Sequence, residues 1–248
     1  MLRKRLITVL TFSDGVLFRT KLFHPDYRYT QNFIDSWSID EVVALDVTRP
    51  GQGSKENFYS TVQQLARKCF VPLAAGGGVR SVADFKKMLS IGADKVIINT
   101  EAVRKPELIT EAANLFGAQC VVVSIDAKKH ADGKYEVYTE FGTKPTGLEP
   151  AEWAKKAEEL GAGEIMITSI ERDGFLEGYD NELNKLVSEA VRIPVLVCGG
   201  AGKWQDFVDG FKLGKASAVC TTNIYHFTDV SIKSAKAYMK NAGIDVRI

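Results

Sequence analysis

Residues 71–100 read VPLAAGGGVRSVADFKKMLSIGADKVIINT, and residues 193–222 read IPVLVCGGAGKWQDFVDGFKLGKASAVCTT. The two stretches align without a gap. Pro72 falls on Pro194, Gly77-Gly78 on Gly199-Gly200, Asp84-Phe85 on Asp206-Phe207, Gly92 on Gly214 and Thr100 on Thr222. Each copy is an apolar, β-branched run, a glycine turn, an amphipathic helical stretch, and a second apolar run ending in threonine. The offset of 122 residues is about half of the 248-residue chain, which points to two related halves rather than a solenoid of short repeats.

Working outward, apolar runs recur at Leu6–Leu10, Glu41–Val47, Val71–Ala74, Lys95–Ile98, Cys120–Ile125, Glu164–Thr168, Ile193–Val197 and Ala218–Thr221. Helix-length amphipathic stretches lie between most of them, among them Ser81–Ile91, Pro106–Phe116, Pro150–Leu160 and Asn181–Ala190. Ser81, Pro106 and Pro150 suit helix starts as a cap or an early proline. Eight strands alternating with helices predict a parallel sheet, and eight is the number that closes a (β/α)₈ barrel. Near-continuous apolar strands also suit a sheet covered on both faces. The expected fold is therefore α/β: a single (β/α)₈ TIM barrel over 1–248, with half-barrels of roughly 1–120 and 121–248. An open doubly wound sheet is the competing architecture.

Composition narrows the function classes. Lys and Arg number 32 against 31 Asp and Glu, so no basic field advertises nucleic acid or a membrane surface. Cys69, Cys120, Cys198 and Cys220 form no Cys-x-x-Cys pair, and Cys198 and Cys220 read as buried, reduced thiols. His24, His130 and His226 lack metal-ligand spacing, so no metal and no cofactor is expected. The apolar stretch after Arg3, Lys4 and Arg5 is too short for a signal peptide or membrane span, and a cytoplasmic protein is expected.

The glycine turns follow a strand and precede a helix in both copies. Glycine there lets backbone N–H groups approach an anion, and a helix N-terminus adds a favourable dipole. Asn99-Thr100 and Thr222-Asn223 end the following strands and could donate further hydrogen bonds. Two equivalent sites, Gly77 and Gly78 with Asn99 and Thr100, then Gly199 and Gly200 with Thr222 and Asn223, predict a ligand carrying two phosphates across a barrel mouth. Asp173 and Gly174 would add donors beside the second. Glycine also serves tight turns for purely structural reasons.

The chain resembles the cyclase subunit family of imidazole glycerol phosphate synthase. The resemblance spans nearly the whole sequence, through LDVT (45–48), AAGGG (74–78), GADKVIINT (92–100), FGAQCVVVSIDAKK (116–129), GAGEIMITSIERDG (161–174), GYD (178–180), CGGAGK (198–203) and YHF (225–227). It implies a two-fold repeated barrel with ribulose-phosphate-binding type phosphate sites. It also implies a partner glutaminase, forming a heterodimer, whose ammonia travels along the barrel axis to a phosphorylated, ribonucleotide-derived substrate.

The family's two catalytic aspartates end the first and fifth strands. The second is present as Asp126. The first should fall at position 11, where LITVLTFSDG (6–15) has Thr11. A family lysine nearby becomes Arg19, and the Gly-Asp-Pro of the first loop is missing from HPDYRYTQN. Asp14-Gly15 matches a turn that the family keeps in addition to its acid. By resemblance, Arg5, Glu41, Lys95 and Glu164 form the charged ring at the ammonia entrance, and Asp94 faces the glutaminase. Read alone, those four are strand-start charges forming weak exposed pairs.

An intact inlet with half of the acid pair gone predicts a cyclase-like conduit. That role fits a family branch associated with surface-polysaccharide (lipopolysaccharide) biosynthesis, in which a separate sugar amidotransferase receives the ammonia. The alternatives are an active histidine-pathway cyclase, a lyase, using Asp126 with Asp14, Asp46 or water, and a non-catalytic subunit that only activates the glutaminase.

Overall fold

The computed structural model describes residues 3–28, 39–222 and 229–247. β1 (Arg5–Ser13) is buried along almost all of its length and stops at Asp14-Gly15. Both turn residues have positive φ, 50° and 75°, the type I′ geometry that matches strand twist in a two-residue hairpin. The chain returns as β2 (Val16–Lys21), which pairs antiparallel with the end of β1, and then β3 (His24–Arg28). The first half continues through β4 (Glu41–Asp46), α1 (Lys55–Lys68), β5 (Leu73–Gly76), α2 (Val82–Ser90), β6 (Lys95–Ile98), α3 (Thr100–Arg104) and α4 (Glu107–Phe116).

The second half repeats the plan. β7 (Val121–Lys129) carries its own antiparallel excursion, β8 (Tyr135–Thr139) and β9 (Lys144–Pro145). It is followed by α5 (Pro150–Glu159), β10 (Glu164–Ser169), α6 (Asn181–Ala190), β11 (Val195–Cys198), α7 (Trp204–Lys212), β12 (Ala218–Thr221) and α8 (Asp229–Asn241). Parallel pairings run β1–β4–β5–β6–β7–β10–β11–β12, and β12 pairs back with β1, Arg5 opposite Ala218. The sheet is closed, a (β/α)₈ barrel, and the open alternative is excluded.

Two strands run well past their expected ends. β1 and β7 each extend beyond the barrel rim because β2 and β8 supply hydrogen-bonding partners there. The run expected at Val71–Ala74 sits two residues later, at Leu73–Gly76, and Cys120 lies in a short 3₁₀ turn before β7. Helix starts follow local chemistry: the Ser81 hydroxyl accepts from the Asp84 N–H, and Glu149, directly before Pro150, accepts from the Glu152 N–H.

The apolar interior has two layers. One fills the lumen, with Val9, Val43, Ala74, Ile97, Val122 and Met166 facing the axis. The other packs the strands against the helices, with Phe12, Phe58, Phe85 and Phe207 fully buried. Phe85 and Phe207, aligned in the sequence repeat, occupy equivalent places on α2 and α7. No helix among the described residues is long and apolar enough to cross a membrane.

Candidate functional site

The carboxyl-terminal ends of the barrel strands open into a cavity of about 640 Å³, where TIM barrels place their chemistry. Thr11 and Asp126 both line it. Strand register makes them equivalent: Thr11 lies opposite Leu45 of β4, and Asp126 lies opposite Thr168 of β10. The two β4 and β10 positions correspond, because Ile7–Glu41 and Val122–Glu164 pair in the same way four residues earlier. The residue at the rim of the first half is thus a threonine where the second half has a carboxylate.

Their surroundings differ as sharply. The Thr11 hydroxyl donates to the Phe18 carbonyl of β2, so it is spent on the hairpin. Asp126 Oδ2 accepts from Asn99 Nδ2 at 2.7 Å. Burial pushes the Asp126 carboxyl up to about 7; Asn99 pulls it down, and the nearby Asp173 charge adds to the rise. A carboxyl poised near neutrality can take or return a proton, whereas a threonine hydroxyl cannot.

The sequence offered two further aspartates, Asp14 and Asp46, as partners for Asp126. Asp14 lies on the outside of the turn, where its carboxylate accepts from the Ser54 N–H at 3.0 Å and Asn57 Nδ2 at 2.7 Å. Those bonds hold its pKa below the ordinary value, and Asp14 does not line the cavity. Asp46 does line it, at the end of β4, with its carboxyl pushed up by burial and held by the Thr48 N–H at 3.0 Å.

The glycine turns sit in equivalent settings. A side chain on Gly77 would strike the Asp46 carbonyl at 2.4 Å, and one on Gly199 would strike the Ser169 carbonyl at 2.8 Å. Both turns therefore need glycine to pass the neighbouring strand end, whatever they bind. Gly78 and Gly200 also have positive φ, 62° and 105°. In each turn an aspartate folds back onto the loop: Asp84 accepts from the Arg80 N–H, and Asp206 accepts from the Gly202 and Lys203 N–H groups. Gly77, Gly78, Asn99, Thr100 and Thr222 line the cavity, while Asn223 lies outside the described residues. The Thr100 hydroxyl accepts from the Glu140 N–H at 3.0 Å.

Asp173 and Gly174 have a role that the sequence did not suggest. The buried Asp173 carboxylate accepts from the Phe23 N–H at 3.0 Å and from the Thr20 hydroxyl at 3.3 Å, and its carbonyl accepts from the Leu22 N–H. A side chain on Gly174 would meet the Thr20 carbonyl at 2.6 Å. The loop after β10 therefore clasps the β2–β3 hairpin. On the other side, Arg49 donates to the Phe23 carbonyl at 2.7 Å and stacks over the Phe141 ring at 4.0 Å. The two hairpins, one from each half, thus meet across the mouth. Arg49, Arg80 and Arg104 line the same cavity and give it cationic groups suited to an anionic ligand. No sequence motif singled them out.

At the opposite end, Arg5, Glu41, Lys95 and Glu164 close into one ring. Arg5 reaches Glu41 and Glu164 at 2.8 Å each, and Lys95 reaches them at 2.9 and 2.8 Å. The Glu41 side chain is only 2% exposed, so these are not the weak exposed pairs that strand-start charges usually form. Burial raises the Glu41 carboxyl despite Lys95 and Arg5, with Glu164 adding to the rise. Burial works against the Arg5 charge, but Glu164 and Glu41 outweigh it and raise its pKa. Asp94, exposed near this end, accepts from the Leu73 N–H at 2.8 Å and caps the start of β5. Among the described residues, no group of three His, Cys, Asp or Glu side chains could hold a metal ion.

A closed barrel of two matching halves, with a glycine-turn mouth and an ion-paired floor, defines the class: a two-fold (β/α)₈ barrel. A family model described as histidine biosynthesis protein matches residues 8–231, and the chain belongs to that family.

Proposed function

We propose that this barrel is the ammonia-accepting subunit of a glutamine amidotransferase, docking a glutaminase and conducting ammonia along its axis, with the standard cyclase reaction impaired. The observation that carries this reading is the pairing of Thr11 with Asp126 at equivalent rim positions. A positioned acid or base is worth about 10²–10⁴ in rate, and one of the two is missing. The Asp14 side chain, tied to the start of α1, offers no replacement.

The ring of Arg5, Glu41, Lys95 and Glu164 supports the inlet. A buried four-charge network is costly to keep unless its geometry serves a purpose. Ion pairs can part and re-form without breaking the barrel ladder, which suits a gate. Asp94, beside that end, would face the glutaminase. Gly77, Gly78, Asn99, Thr100, Gly199, Gly200, Thr222 and Asn223 would hold phosphate ions or a phosphorylated small molecule, with Asp173 and Gly174 shaping the mouth between them. The final acceptor of the ammonia would be a sugar in polysaccharide biosynthesis, handled by a separate amidotransferase.

The purified barrel with its cognate glutaminase should raise glutamine hydrolysis yet form negligible imidazole glycerol phosphate. Robust formation of that product overturns the proposal. A second reading, an active cyclase, draws on the near-neutral Asp126 carboxyl, and the same assay decides between them. Replacing Ala218, opposite Arg5 in the register, with Trp tests the conduit. Ammonia delivery should fall while glutaminase stimulation persists; unchanged delivery in a folded variant excludes passage through the axis.

A further inference from the structure

Four thiols are present, and two of them share a place that sequence spacing conceals. Leu196 pairs with Ala218 and Val197 with Val219 in the parallel β11–β12 ladder. One more step sets Cys198 beside Cys220. Both side chains belong to the lumen layer, so the two thiols lie on the same face of adjacent strands. Adjacent strands run about 4.8 Å apart, inside the roughly 4.4–6.8 Å Cα separation that a disulfide spans. The other two cysteines have no such partner between them: Cys69 donates its thiol to the Val71 carbonyl before β5, and Cys120 precedes β7.

Access is asymmetric. Cys198 lines the cavity beneath the mouth, whereas Cys220 lies deeper and is 1% exposed. The Tyr179 hydroxyl donates to the Cys220 carbonyl at 2.6 Å and fixes that strand from outside the barrel. A small oxidant entering by the cavity therefore meets Cys198 first, with a second thiol on the adjacent strand behind it.

We propose that Cys198 and Cys220 form a redox-active dithiol, oxidised by a small peroxide to an intramolecular disulfide that ties β11 to β12. The Cys198 sulfur attacks one peroxide oxygen as its thiol gives up its proton; the O–O bond breaks, and the departing hydroxide takes that proton and leaves as water, giving a sulfenic acid. The Cys220 sulfur then attacks the Cys198 sulfur, forming the S–S bond and expelling hydroxide, which leaves as water with the Cys220 proton. Two thiols lose two electrons, and the peroxide gains them. Linking adjacent strands strains the bond, which makes it readily reduced again.

The bond would also act on the second glycine turn. Cys198 directly precedes Gly199-Gly200, and Cys220 directly precedes Thr221-Thr222. Pulling the two sulfurs to about 2.05 Å shifts the roots of both segments together. This consequence, unlike the disulfide itself, rests on the proposed phosphate site.

Mild hydrogen peroxide treatment of the full chain, followed by peptide mass mapping, tests the dithiol. A cross-linked Cys198–Cys220 peptide is expected, reversed by dithiothreitol, with the Cys220→Ser variant stopping at a sulfenic acid on Cys198 that dimedone traps. Oxidation of Cys198 that leaves Cys220 as a free thiol in the unsubstituted chain overturns the proposal, as does failure of both to react while Cys69 or Cys120 does. Calorimetric titration with inorganic phosphate reads the consequence: affinity should fall roughly tenfold on oxidation, the loss of about one charge-assisted hydrogen bond. Equal affinity in both redox forms overturns the coupling. Binding in neither form refutes the phosphate reading and leaves the dithiol to stand or fall by the mass map.

Discussion

The rim ends of β1 and β7 are the same place twice. Both strands outrun the barrel, both pair with an antiparallel excursion, and both present a polar side chain at the equivalent position over the cavity. Asp126 holds a titratable proton beside Asn99, while Thr11 gives its only proton to the Phe18 carbonyl. The scaffold is two-fold and the chemistry is one-sided. A half-barrel can therefore keep its geometry with no carboxylate at its rim, because burial of Phe85 and Phe207 and closure of the ladder do not involve the rim.

The largest expected break in that comparison is kinetic. If proton transfer at the mouth still occurs, Asp126→Asn should lower it by about 10²–10⁴, while glutaminase stimulation by the barrel is unchanged. Coupled assays of product formation and glutamine hydrolysis separate the two. Next comes the floor: Lys95→Met leaves Glu41 and Glu164 buried with one cation instead of two. The expected cost is about 3 kcal/mol, read as a lower denaturation midpoint, since removing one member of a buried network strands the others.

Thr11→Asp sharpens the comparison from the other side. It restores the second carboxylate but removes the donor to the Phe18 carbonyl, costing about 1–3 kcal/mol of stability. Cyclase turnover should rise toward that of a two-acid site if the acid alone was lost; continued silence in a folded variant assigns the deficit to the rest of the first loop as well. The Asp126 proton has its own signature. Its carboxyl titrates near 7 in the folded chain against 3.8 as the ordinary value, so between those pH values the native state holds a proton that the unfolded chain has released. Stability should therefore fall as pH rises from about 4 to about 7, and Asp126→Asn should flatten that slope in chemical denaturation.

The smallest effect belongs to the mouth. Arg49→Ala removes the bond to Phe23 and the stacking on Phe141, together worth about 1–2 kcal/mol. Faster hydrogen exchange in β2 and around 140–142, with little change elsewhere, is the expected outcome. Uniform exchange across the chain would mean that the hairpins meet without supporting each other.

Much of this was written in local sequence. Strand and helix periods, the 122-residue offset and the glycine turns are short-range features, and the runs Lys95–Ile98, Ala218–Thr221 and Asn181–Ala190 match their elements end to end. The excursions also left marks: Asp14-Gly15 before β2, and Asp132-Gly133 before the alternating Tyr135–Thr139, are hairpin signals. The four floor charges and the missing acid were legible through resemblance to a family, not through spacing.

The sequence by itself determined the barrel and its two-fold plan, because propensity, pattern and repeat are carried by residues close in the chain. Only the tertiary structure decided what the polar groups do. Asp173 clasps Phe23 from 150 residues away, Arg49 bridges to Phe141, four strand starts become one buried ring, and Cys198 and Cys220 share the lumen face of adjacent strands. Such partners are set by closure and strand stagger, which bring together residues that no local window contains.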